Sequence, residues 1–133
     1  PWANLWPHTV GLVAENIKMQ NPFAAVQAVI VDPSAASFIQ TIKRHGRFRV
    51  KPAENDVVEG IRNTATELNA KRLLFCDCCH NIFEEFRAYV WDKKASERGE
   101  DKPVKQSDHA MDDMRYFVNT VIYSHNGLRI GGS

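Results

Sequence analysis

Ala25-Val26-Gln27-Ala28-Val29-Ile30-Val31, ending in Asp32-Pro33-Ser34, is the stretch on which the fold turns. A near-continuous apolar run closed by a turn signal is the pattern of a strand buried on both faces. Proline disfavours helix for the residue before it but suits a first helical turn. A helix is therefore expected after Pro33, with Phe38, Ile39 and Ile42 inward and Gly46 as its left-handed C′ residue. Arg47-Phe48-Arg49-Val50-Lys51 alternates basic and apolar residues, as a half-exposed strand does. Asp56-Val57-Val58-Glu59 has the spacing of a capping box, and Val57, Ile61, Thr64 and Leu68 form the buried stripe of the helix it opens. Arg72-Leu73-Leu74-Phe75-Cys76 is a third strand candidate. Residues 81–91 read as another helix, with Ile82, Phe86 and Tyr89 or Val90 inward. Strands alternating with helices predict an α/β layered domain.

Outside this region the patterns are weaker. Residues 1–24 have no clear period beyond a short helix at 10–19, and are expected to be a segment at which the chain was truncated. Residues 25–126 read as one domain and 127–133 as a C-terminal tail. Residues 92–106 form a long charged loop, of a length more often functional than merely connecting. A chain of 133 residues, 44% hydrophobic and 25% charged, suits one soluble domain with its own core. No apolar run approaches the roughly 18–20 residues that span a bilayer, so no membrane partner is expected. No basic stretch leads into an apolar segment as a secretory signal would. Cys76, Cys78 and Cys79 are odd in number and tightly clustered. They suit a reducing compartment rather than a disulfide framework. Net charge is only +1. Yet Lys43, Arg44, Arg47, Arg49 and Lys51 run without an intervening acid, a candidate surface for DNA phosphates, although such runs are more often plain solvated faces.

The chemistry concentrates in Asp108-His109-Ala110-Met111-Asp112, followed by Asp113-Met114-Arg115. On a helix, Asp108 and Asp112 share a face, and their repulsion of about 0.2–0.5 kcal/mol needs an offset from Arg115 or a divalent cation. Asp108, Asp112, Arg115 and Asn119 border an apolar stripe of Met111, Met114, Val118, Val121 and Ile122. This predicts Asp112 part-buried, His109 toward solvent, and Asp108 as a helix-start acid favoured by the dipole. Asp32 ends the best strand, where open α/β sheets place ligand groups. A cap or an Asx turn is an equal alternative there. Asp32 and Asp112 suit Mg²⁺, which takes oxygen ligands, and two such ions promote phosphodiester cleavage. His109 is placed to move a proton or orient a water. In Cys76-Asp77-Cys78-Cys79-His80 no second ligand pair exists, so zinc is not expected and buried strand-end thiols are.

Several separate motifs occur in register: Val31-Asp32-Pro33-Ser34-Ala35-Ala36-Ser37-Phe38-Ile39, and Asn55-Asp56-Val57-Val58-Glu59-Gly60-Ile61-Arg62. Cys79-His80-Asn81 with Glu85 and Tyr89-Val90-Trp91-Asp92 comes next, then Pro103-Val104-Lys105 leading into the 108–112 motif and Arg115-Tyr116. Across about residues 25–122 this series resembles the C-terminal nuclease domain of the tailed-bacteriophage terminase large subunit. The resemblance implies an RNase H-like mixed sheet flanked by helices, and a metal-dependent endonuclease that cuts concatemeric double-stranded DNA during packaging. In that family three acids bind two Mg²⁺ or Mn²⁺ ions: one on the first strand, one after a later strand, one on the last helix. The resemblance gives Asp32 the second role and Asp112 the third, with His109 and Asp108 accessory. No residue before Asp32 fits the first role, so the fold is expected to lack its first strands, and the activity of the chain by itself is left open. No Gly-x-x-x-x-Gly-Lys-Ser/Thr phosphate loop occurs, so an ATPase domain is expected upstream. The implied partners are DNA, the terminase small subunit and the portal, in the cytoplasm of an infected or prophage-bearing bacterium. Two other readings remain: a non-catalytic DNA-docking or assembly module of the packaging motor using residues 43–51, and a small zinc protein built on Cys76, Cys78, Cys79 and His80.

Overall fold

In the computed structural model, which describes residues 6–22, 25–106 and 108–124, the chain divides into two units, Pro1–Ala53 and Glu54–Ser133. The expected tail at 127–133 lies outside the described residues. The first unit holds α1 (Trp6–Gln20), β1 (Val29–Val31), α2 (Ala36–His45) and β2 (Val50–Pro52). The strands are parallel, in the register Val29↔Val50, Ile30↔Lys51 and Val31↔Pro52, and α2 is the crossover that a parallel pair requires. Val29 N–H and Ala53 N–H extend the ladder to Arg49 O and Val31 O, at 2.8 and 2.9 Å. Val10, Val31 and Ile42 form the core, packed by Val29, Ala35, Phe38, Ile39, Phe48 and Val50. Helix α2 ends as expected, with Gly46 left-handed at φ 76° and its N–H returning to Ile42 O and Lys43 O. The apolar run is only partly a strand: among the described residues its last three positions pair with a neighbouring strand, and Val26 is exposed.

The second unit holds α3 (Val57–Asn69), α4 (His80–Ala88), α5 (Lys93–Glu97) and α6 (His109–Phe117), continued by a π-helical turn Val118–Ile122. The N-cap half of the expected capping box is present: Asp56 accepts from Glu59 N–H at 2.8 Å. The buried stripe of α3 is corrected, however, to Gly60, Thr64 and Glu67, with Val57, Ile61 and Leu68 only half-buried. The third strand is also corrected. Residues 72–76 are not a strand; Leu74 is exposed, and Phe75 packs edge-on against Phe83 and Phe86 of α4. The sheet among the described residues is therefore two parallel strands, and the antiparallel pairing there is the isolated bridge Trp91↔Pro103. The charged loop contains α5, capped by Asp92, which accepts from Lys94 and Ala95 N–H. No helix among the described residues is long and apolar enough to cross a membrane.

Candidate functional site

Helix α6 builds the carboxylate cluster, and its N-terminus is capped by another helix. Met111 N–H, which an N-cap side chain would ordinarily satisfy, donates to Glu85 Oε2 of α4 at 3.0 Å. Asp108 occupies the N-cap position without a side-chain cap bond. Its carboxylate is thus available to turn toward the cluster: Asp108 Oδ2 lies 3.5 Å from Lys105 Nζ, and Asp112 Oδ2 lies 3.6 Å from the same nitrogen. Asp112 Oδ1 accepts from Arg115 Nη2 at 2.7 Å. One oxygen of each aspartate therefore converges on a single ammonium group. Asp112 foremost, and Asp108 after it, hold the Lys105 ammonium above the usual lysine range.

His109 is exposed and Asp112 part-buried, as the helical wheel indicated. The Asp108 side chain is 11% exposed and that of Asp112 17%, so the two acids are buried to a similar degree. Burial comes first in raising the Asp113 carboxyl, helped by Asp112 and eased by His109. Arg115 itself is buried, and donates through Nη1 to the carbonyls of Asn55 and Asp56 at 3.2 and 3.3 Å. Ile122, expected on the apolar face, is exposed, because the π turn adds a residue and rotates the residues beyond it.

In the first unit, Asp32 forms the Asx turn that was one of its two readings. Its Oδ1 accepts from Ser34 N–H at 2.8 Å, while α2 begins behind Ala35 with no side-chain cap. Lys43 and Arg44 lie exposed in the last turn of α2, where cations complement the helix dipole. Arg49, just before β2, is exposed, and Lys51 on β2 is half-buried. Arg47 is exposed too, but Glu15 of α1 pairs with it at 3.2 Å, an acid the local sequence did not reveal. Sequence reasoning placed no role on Glu85 as the α6 cap, on Lys105 between the aspartates, or on Gly60. An isolated glycine in a helical pattern is itself a signal, since it costs roughly 1 kcal/mol against alanine.

The cysteine expectation is corrected. Cys76 and Cys78 are exposed and Cys79 is half-buried, in a turn before α4 rather than at a strand end. Burial, then the neighbouring Cys78 and Cys76, push the Cys79 thiol up, which keeps it protonated.

Hard carboxylate oxygens suit Mg²⁺ or Mn²⁺, and the ammonium already held by Asp108 and Asp112 marks a place where positive charge is stabilised. Among the described residues no group of three or more His, Cys, Asp or Glu side chains gathers to hold a metal ion. Two carboxylates nevertheless meet the usual Mg²⁺ demand of one or two, with water and substrate phosphate supplying the rest.

A family described as the Terminase RNaseH-like domain matches residues 8–120. No curated protein matches the chain. The chain is similar to the large terminase of a thermophilic bacteriophage in complex with ADP. The TM-score is 0.77 at 49% identity, covering 86% of this chain and 29% of that one. For the same terminase with ATP-gamma-S the values are 0.76, 49%, 86% and 30%. A further structure of it gives 0.75, 50%, 85% and 29%. The chain thus spans less than a third of the solved proteins it matches.

Proposed function

The chain belongs to the Terminase RNaseH-like domain family, and from that premise we propose that it is the metal-dependent endonuclease part of a viral DNA-packaging terminase. The observation that supports the reading best is the convergence of Asp108 Oδ2 and Asp112 Oδ2 on one cation. Those oxygens would hold Mg²⁺ or Mn²⁺ in place of the ammonium; for Asp32, in the first unit, a metal-binding role is proposed from the family resemblance alone. When bound, two such ions stabilise the attacking and leaving oxygens of a phosphodiester. Glu85 keeps the first turn of α6 in place, so that both aspartates stay on one face. His109, exposed in that turn, would take or deliver a proton at its imidazole. Lys43, Arg44, Arg47, Arg49 and Lys51 would bind DNA phosphates and fix the register of the duplex.

Concatemeric double-stranded DNA is the proposed substrate, and the small subunit and portal the proposed partners. The ATPase, for which no phosphate loop occurs in these 133 residues, would lie outside this region. The proposed setting is the bacterial host cytoplasm. Asp112→Asn is the direct test: Mn²⁺-dependent cleavage of double-stranded DNA should fall by more than about 100-fold, with the circular dichroism spectrum of a folded domain retained. Undiminished cleavage would sink the assignment. The exposed basic residues favour a second reading, a non-catalytic DNA-docking module. It predicts salt-sensitive DNA binding with no metal-dependent cleavage at all.

A further inference from the structure

Gly60 and Arg115 make an arrangement that simple charge neutralisation of Asp112 does not need. Arg115 Nη1 donates to Asn55 O and Asp56 O, in the turn that leads into α3. Its guanidinium carbon lies 5.2 Å from the centre of the Tyr116 ring. The group is therefore held by an element other than its own helix, and by contacts that do not involve Asp112. Its aliphatic stem runs against α3 at Gly60, where a Cβ would stand 2.3 Å from Arg115 Cγ and 2.7 Å from Cδ. The same Cβ would stand 3.2 Å from Asn119 Nδ2, and Asn119 is in turn fixed by accepting from Asn63 Nδ2 at 3.0 Å. The stem therefore cannot keep its present place if a side chain is added.

We infer that Arg115 is a positioning residue for Asp112, and that the absence of a side chain at Gly60 is what permits it. The forked guanidinium spans the two carbonyls and Asp112 Oδ1 together, which a single ammonium nitrogen does not. Holding Oδ1 leaves Oδ2 aimed where Asp108 Oδ2 is also aimed. The purpose of this positioning rests on the nuclease reading; the geometry does not.

Two readouts separate the two. The first needs no metal: the Asp112 χ1 rotamer, from three-bond NMR couplings in this chain. One rotamer is expected in the parent protein, and averaging in both Gly60→Ala and Arg115→Lys. The second is Mn²⁺ affinity by electron paramagnetic resonance, expected to fall 10- to 100-fold in both variants, as loss of a group orienting a ligand does. Retention of the positive charge in Arg115→Lys should not restore it. In an Arg115→Ala background, Gly60→Ala should change neither readout further, because the stem it collides with is gone. That pair keeps the inference testable if one single variant folds poorly. An unchanged Asp112 rotamer in Gly60→Ala, or Mn²⁺ affinity equal or higher in Arg115→Lys, overturns the inference. If the parent protein binds no Mn²⁺, the nuclease reading falls, and the rotamer measurement alone decides the positioning.

Discussion

Glu67 shows how one buried acid ties down the second unit. Its Oε2 accepts from Arg72 Nε at 2.9 Å, and its Oε1 accepts from Arg72 Nη2 at 2.8 Å and from Tyr123 O–H at 2.7 Å. Arg72 first, then Tyr123, hold the carboxyl at about 2, against an ordinary value of 4.5. A depressed acid stabilises the folded state above its unfolded value, and the contribution is lost as pH falls through the folded one. The urea midpoint should therefore drop between pH 4.5 and about 2, the window set by those two values. Glu67→Gln should lower the midpoint at neutral pH and flatten that acid slope; an unaltered slope would show that Glu67 is not its source. At Gly60 the sign of a stability change separates packing from propensity. Alanine in a helix interior normally gains roughly 0.5–1 kcal/mol over glycine. Here the collision with Arg115 should make Gly60→Ala destabilising, as a urea titration would record. The 56–59 cap was legible because its partners are local, whereas Glu67, Arg72 and Tyr123 belong together only once the π turn has brought Tyr123 to the end of α3.

The elements fail to match their patterns for specific reasons. Arg72 N–H returns to Glu67 O and Lys71 N–H to Leu68 O, each at 3.0 Å. That is a Schellman closure of α3, with Lys71, at φ 56°, where glycine usually sits. No glycine announced it, so the residues after it read as a strand. Arg72 is instead committed to the helix end, and no neighbouring strand meets 73–76 among the described residues. Helix α6 carries the opposite lesson: its local sequence offers Asp108 as a cap, but the capping group comes from Glu85 of α4. Glu85→Ala should cost about 1 kcal/mol by urea denaturation, the usual cost of a lost cap. Glu85→Gln, which keeps an acceptor oxygen, should cost less. Equal losses would point to charge rather than the hydrogen bond.

For the molecule as a whole, the basic run on the first unit is the feature that links sequence to a long-range property. Each phosphate contact adds about 0.9 to the slope of log K against log salt for duplex DNA. Arg44→Gln and Arg49→Gln should each reduce the slope by about that amount, while Lys93→Gln, in α5 outside the run, should not. Equal slopes would remove the run from the DNA surface. The sequence by itself determined the α/β alternation, the Gly46 helix stop, the Asp56 cap and the family, through apolar periodicity, turn chemistry and motifs in order. These depend on residues within a few positions of one another, so the chain states them directly. Only the tertiary structure decided that Glu85 caps α6, that Lys105 stands between Asp108 and Asp112, that Arg115 reaches Asn55 and Asp56 past Gly60, and that residues 72–76 are not a strand. The Glu85 and Arg115 contacts join groups far apart in the chain, residues 72–76 meet no strand among the described residues, and Lys105, though near Asp108 in sequence, lies in a loop whose course no helical period fixes. Packing settles such contacts, and no local pattern encodes them.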